Sequence, residues 1–144
     1  MKKWMIIIGI LAIVGLIAAF LVWKFYVNKP HTDYAKAEAT VSIAASDLFN
    51  NYKSNKTTAD SMYNGKVIEI KGAFQKIEKT DSSATIIFVF TQGDFGDEGI
   101  RCSLLPTELQ KLGETQAGQD IKLKGLCTGY NETDVILEKC SIEK

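Results

Sequence analysis

Histidine is almost missing from this sequence: among 144 residues there is one, His31, in a polar stretch with no acid or nucleophile fixed beside it. A dyad built on imidazole has nothing to rest on, and His31 reads as a solvated linker residue. Cysteine is scarce as well. Cys102, Cys127 and Cys140 form no C-x-x-C pair and have no histidine nearby, which argues against zinc. No cysteine precedes Cys102, so a lipid-modified N-terminal cysteine is not expected. An excess of one charge is also lacking, with 17 basic and 17 acidic residues. Lys2, Lys3 and Lys24 flank an apolar run, while every acid lies beyond Val27, so the remainder carries 14 basic against 17 acidic residues, a net of −3. A slightly acidic domain lacks the electrostatic footprint of a phosphate-backbone binder, and nucleic acid is an unlooked-for partner. Nothing in the pattern points to catalysis or to a cofactor, and the expectation is a non-enzymatic chain.

What the sequence does have is one long apolar run. Trp4 to Trp23 holds no charge, and a helix rising 1.5 Å per residue over that length spans roughly 30 Å, the thickness of a bilayer core. Trp4 at one end and Trp23, Phe25 and Tyr26 at the other suit the water boundary. A cleaved signal peptide is the rival reading, but its apolar stretch is shorter and ends at small residues, whereas this run exits through Leu21-Val22-Trp23-Lys24. The expectation is therefore a cytoplasmic tail at 1–3, a transmembrane helix at 4–23 and a connector at 24–33. Lys2 and Lys3 against Lys24 and Lys29 give a small bias toward an inside N-terminus. The location expected is the cytoplasmic membrane, single-pass, with the C-terminal domain outside.

Pro30 stops any continuation of that helix, and Thr32 or Asp33 can cap the next. Residues 34–64 read as helical. Val41, Ala44, Ala45, Leu48, Phe49 and Tyr52 recur at three- and four-residue spacing, which predicts an amphipathic helix from Tyr34 to Lys53. A second, shorter helix over Thr57 to Tyr63 ends at Asn64-Gly65, suited to a left-handed cap. After Gly65 the period changes to two. Strands are expected from Lys66 past Gly72, with a bulge there, then at Ala84–Thr91, Gly99–Leu104, Gly118–Thr128 and Asp134–Ile142. Pro106 opens a short helix, PTELQKL, ended by Gly113. Gln92 to Gly99 reads as a loop whose acids, Asp94, Asp97 and Glu98, do not follow calcium-loop spacing.

Three segments carry a family resemblance: Tyr63-Asn64-Gly65-Lys66-Val67-Ile68-Glu69-Ile70-Lys71-Gly72, then Gly118 to Cys127, then Val135 to Ile142. Together with the strand order they resemble the tRNA-anti-like family of OB-fold proteins. The resemblance implies a mainly β domain over residues 65–144, a five-stranded OB-fold barrel with a short helix between strands three and four. An amphipathic helix and an N-terminal transmembrane helix precede it. It implies a domain commonly tethered at its N-terminus in bacterial proteins and does not imply tRNA binding, since fold does not fix function.

Candidate site residues are few. Cys127 and Cys140 would face each other if the last hairpin is centred near Thr133-Asp134, so a disulfide with Cys102 to spare competes with three buried thiols. Phe88, Phe90 and Arg101, with Phe95 near them, are weak candidates for an OB ligand groove. Phe88 and Phe90 share parity with Ile86, which reads as a core face. Strand two is apolar on both faces, and the helix stripe is expected to cover Ile87 and Val89. The function expected is a membrane-anchored binding module facing an unidentified envelope partner. The alternative is a binder of single-stranded nucleic acid or oligosaccharide.

Overall fold

The structure is a computed structural model and describes residues 2–24, 34, 36–94 and 96–143. The connector from 25 to 33, with His31, and the candidate Phe95 lie outside them. The chain divides into two units, Met1–Thr32 and Asp33–Lys144.

The first unit is helix α1, Lys2–Val22. Its first two residues are lysines and its α-helical bonding stops at Val22, short of Trp23, so the helix does not coincide with the uncharged run. Among the described residues no helix is long and apolar enough to cross a membrane. The transmembrane helix expected at 4–23 is corrected on that finding.

The second unit begins with a departure from expectation. Val41–Ala44 is a strand, β1, parallel to β2, Val67–Ala73, with Val41 opposite Ile68 and Ile43 opposite Ile70. The helix predicted from Tyr34 therefore starts only at Ala45. Val41 and Ile43 satisfy a helical stripe and a strand alternation equally, and β-branching tips such a segment toward extended backbone when a strand lies beside it. Helix α2, Ala45–Ser54, keeps the stripe: Ala45, Leu48, Phe49 and Tyr52 are all essentially buried. Helix α3, Lys56–Tyr63, is capped by Asn55, whose side chain accepts from the Thr58 N–H at 3.1 Å. It ends at Tyr63 as expected, but Asn64 is extended and the Gly65 N–H donates to the Cys127 carbonyl at 2.8 Å, so the left-handed residue belongs to the turn after the helix and does not cap it. Gly65 takes φ +75°, and Lys66 Nζ donates to the Met62 carbonyl at 2.7 Å, serving an otherwise orphan acceptor.

The remaining strands are β3 Lys76–Lys79, β4 Ala84–Gly93, β5 Gly96–Leu104, β6 Asp120–Tyr130 and β7 Asp134–Glu143. All seven form one mixed sheet in the order β1-β2-β6-β7-β5-β4-β3, with β5 and β7 parallel. This corrects the expected five-stranded OB-fold barrel to an open, seven-stranded sheet whose end strands do not pair. Two causes raise the count. β1 was hidden in the helical pattern, and the first expected strand breaks at Phe74-Gln75 instead of bulging at Gly72. At that break Phe74 is fully buried and its carbonyl accepts from Gly118 N, while Gln75 N donates to the Ile87 carbonyl. The chain thereby passes from the β6 side of the sheet to the β4 side within two residues. The stretch read as a loop at Gln92 to Gly99 is mostly hairpin, since Gly93 pairs with Gly96 and Gln92 with Asp97. The short helix is 3₁₀ in type and runs Pro106–Glu114.

The core lies on the sheet face bearing Ile68, Ile70, Ile86, Phe88, Ile100 and Leu137, and α2 packs into it. Leu48 and Phe49 thus lie on the side of Phe88, not over Ile87 and Val89 as expected. A Cβ placed on Gly72 would meet Ala45 Cβ at 3.2 Å and the Phe88 ring at 3.6 Å, so the missing side chain lets the helix start sit close against the sheet. Burying side chains such as Leu48 and Phe49 contributes roughly 1.5–3 kcal/mol each.

Candidate functional site

Residue parity decides where each candidate points. In β5, Ile100, Cys102 and Leu104 are buried, so Arg101 between them projects from the opposite face. There it stands in register with Ile87 of β4 and Ile136 of β7, and Lys76 of β3 continues the row. Thr85 and Ser103 form the next row on one side. Val89, Gly99 and Asp134 form the row on the other.

Arg101 is the sequence's one arginine, and it is held firmly. Its Nε donates to Asp134 Oδ2 at 2.7 Å, and Nη1 lies 3.6 Å from Glu78 Oε2. Asp134 is only 6% exposed, and its other oxygen accepts the Gly99 N–H at 3.1 Å. The hydrogen bond that Arg101 donates to Asp134 raises the guanidinium pKa above its ordinary value, so the charge is fixed. Asp134 is itself positioned by Asn131, whose Oδ1 accepts the Asp134 N–H at 2.6 Å and the Thr133 N–H at 3.0 Å. Sequence reading missed this partnership because Arg101 and Asp134 stand on different hairpins. The parity of β5 was the available signal that Arg101 faces outward.

Gly99 is the one residue type that fits its position. The pairing of β4 with β5 slips between Val89 and Thr91, leaving Phe90 as an extra residue. A Cβ on Gly99 would lie 1.7 Å from the Phe88 carbonyl oxygen.

On this face Lys76 is bonded to Asp97, and on the opposite face, where α2 packs, Lys53 is bonded to Glu98, so two acids once read as a solvated loop are cross-element partners. Lys76 holds the Asp97 carboxyl below its ordinary pKa.

The structure does not bring Phe88, Phe90 and Arg101 together. Phe88 is fully buried on the inner face. Phe90, 36% exposed, stacks on Phe49 of α2 with centroids 5.4 Å apart. Among the described residues, the rows around Arg101 carry no aromatic ring. All three cysteines are buried free thiols. Cys127 pairs with Leu137, whereas Cys140 stands opposite Leu104, so the hairpin does not set Cys127 directly across from Cys140. Tyr52 Oη lies 3.4 Å from Cys127 Sγ. Burial pushes both groups above their ordinary pKa values.

A cleft of about 360 Å³ lies elsewhere, lined by Ser42, Ile43, Ala44, Lys71, Gly72 and Asp120. Among the described residues no group of three His, Cys, Asp or Glu side chains is arranged to hold a metal.

A candidate nucleic acid-binding lipoprotein from Klebsiella pneumoniae subsp. pneumoniae MGH 78578 matches with TM-score 0.53 and 14% identity, over 81% of this chain and all of that one. A candidate aspartyl-tRNA synthetase from Leishmania major Friedlin matches with TM-score 0.47 and 11% identity, over 79% of this chain but 22% of that one. At such identities the first shows likeness of fold alone, and nothing is argued from the second. No curated protein sequence matches the chain. The family model described as tRNA_anti-like covers residues 1–142, almost the whole sequence, and the chain belongs to the tRNA_anti-like family.

Proposed function

We propose that the domain is a non-enzymatic binding module of the cell envelope that receives a protein partner on the face formed by β4, β5 and β7 around Arg101. The observation that carries this reading is the pairing of the cations there. Arg101 is tied to Asp134 and Glu78, and Lys76 to Asp97. A binder of single strands needs free cations to track phosphates and aromatic rings on which bases stack, and among the described residues the rows around Arg101 offer neither. A fixed, partly exposed guanidinium beside the partly exposed Ile136, over a buried Ile87, is instead the mixed apolar and charged surface on which protein partners dock.

Attachment to a lipid surface on the outer side of the cytoplasmic membrane belongs to the same proposal. Its support is the described apolar side chains of α1, such as Ile6, Leu11, Leu16 and Phe20, which stand more than half exposed and gain cover from lipid. A reporter active only outside the cytoplasm, fused after the C-terminus, should be active and should sediment with membranes. An intact but inactive fusion would overturn placement of the domain outside the cytoplasm.

A second reading, nucleic acid binding, is favoured by the name of the Klebsiella protein. Filter binding of the full chain to single-stranded DNA and RNA at low salt separates the two. The proposed reading expects no retention. Retention that falls steeply with added salt would establish the second reading instead.

A further inference from the structure

Three lysines stand on the face that β2 and β6 turn away from the core, and two of them are served. Lys124 Nζ lies 2.9 Å from Glu143 Oε1, and Lys122 Nζ lies 3.9 Å from Glu69 Oε1, which also accepts the Ser42 hydroxyl at 2.8 Å. Lys71 is the exception. Among the described residues its ammonium has no ion pair or hydrogen bond, and the register sets it directly opposite Lys122. Like charges facing each other across a strand pair repel, so the chain leaves the Lys71 charge unanswered. Asp120 is its counterpart. It begins β6 two residues before Lys122, on the same face and diagonal to Lys71, and among the described residues its carboxylate has no partner either. Diagonal neighbours on a sheet face lie about 7–8 Å apart, yet these two charges do not close on each other. Both side chains instead line the cleft of about 360 Å³ whose other walls are Ser42, Ile43, Ala44 and Gly72. Ala44 stands opposite Lys71 with only a methyl group, which leaves room beside the ammonium.

We propose that this cleft binds a free α-amino acid with a small side chain, its carboxylate on Lys71 and its ammonium on Asp120. A lone anion would meet Asp120, and a lone cation would meet Lys71 with Lys122 beside it, so a ligand of one charge is opposed from within the site. A zwitterion answers both groups at once. The lysine donates to the ligand's carboxylate oxygens, and the aspartate accepts from the ligand's ammonium, each through charge-assisted hydrogen bonds. The ligand's short side chain meets the apolar surface of Ile43 and Ala44. Ligand pockets run from about 300 to 1,000 Å³, so a cleft near the lower end suits a small molecule rather than a nucleotide or an oligosaccharide. Lys71 and Asp120 are both exposed, which holds the affinity to a Kd on the order of 1 mM. The cleft belongs to β1, β2 and the start of β6, on the other side of the sheet order from β4 and β5, so its occupancy is independent of the face around Arg101.

The test follows the backbone amide signals of the full chain in detergent by NMR during titration with L-alanine. Saturable shifts are expected at Ser42, Ala44, Lys71 and Asp120. Two further compounds each remove one charge: N-acetyl-L-alanine has no ammonium, and L-alaninamide has no carboxylate. Each should bind at least about tenfold more weakly than L-alanine, because a charge-assisted hydrogen bond is lost. Lys71→Gln and Asp120→Asn should weaken L-alanine by a similar factor at an unchanged urea midpoint, since both side chains are exposed, while Lys79→Gln on β3 should bind as the parent does. No saturable shift by about 20 mM L-alanine, or shifts confined to residues outside the cleft, would overturn the proposal. Equal binding of either blocked compound, or undiminished binding by either cleft variant, would overturn it as well. The blocked compounds act on the parent chain, so the answer does not depend on how a variant folds.

Discussion

Asp134 shows how much rests on one carboxylate. It satisfies the Gly99 N–H, holds Arg101, and is almost fully buried. Asp134→Ala removes one acceptor and leaves both a buried N–H and a partly buried guanidinium without it, which should cost roughly 2–4 kcal/mol. Glu78 also faces Arg101, but at 3.6 Å and with its side chain 63% exposed, so Glu78→Gln should change stability by less than about 0.5 kcal/mol. Urea unfolding of the two variants checks the contrast, and equal losses would mean that the ion pair is not where the energy lies. At this scale the sequence was partly legible. Alternation of Ile100, Cys102 and Leu104 is enough to turn Arg101 outward, and the same parity turns Phe88 inward, so the two could not share a groove. Asp134 was not legible, because its role depends on the parallel pairing of β5 with β7, a long-range contact that no local pattern encodes.

Elements divide in the same way. Helix α3 was readable up to its end because Asn64-Gly65 acts locally on the turn that follows, whereas its N-cap Asn55 was not foreseen. The boundary between β1 and α2 was not. Val41 and Ile43 fit the amphipathic stripe as well as they fit an edge strand, and only the presence of β2 alongside decides between them. The stripe itself was right about what it buries and wrong about which sheet face receives it. Leu48 has no exposed surface and packs among residues of the inner face, so Leu48→Ala should destabilise the domain by about 2–5 kcal/mol. Phe90 stacks on the same helix from a partly exposed position, and Phe90→Ala should cost nearer 1 kcal/mol. Denaturant midpoints rank the two. If Phe90→Ala proves the more damaging, the helix is held chiefly from the hairpin of β4 and β5 rather than from within the core.

For the domain as a whole, the near balance of charge becomes a statement about pH. Asp97 beside Lys76 and Glu143 beside Lys124 are held below their ordinary values of 3.8 and 4.5. Each contributes stability that is present above that value and is lost as pH falls through the lower folded one. Both groups are largely exposed, so this acid limb should be shallow. The alkaline limb has another origin. Burial raises the Cys102 and Cys127 thiols above their ordinary 9.0, so in the reduced chain their contribution is complete below pH 9 and is lost as pH rises toward the folded values. A thiol ionised in the unfolded chain and protonated in the folded one removes about 1.4 kcal/mol per pH unit. Urea midpoints of reduced protein should therefore be nearly flat from about pH 5 to 8.5 and fall clearly by about pH 10. Cys102→Ala will be less stable at neutral pH because it leaves a cavity, yet its decline above pH 9 should be shallower. A parallel decline in parent and variant would mean that Cys102 ionises as readily in the folded chain as in the unfolded one, contrary to its place in the core.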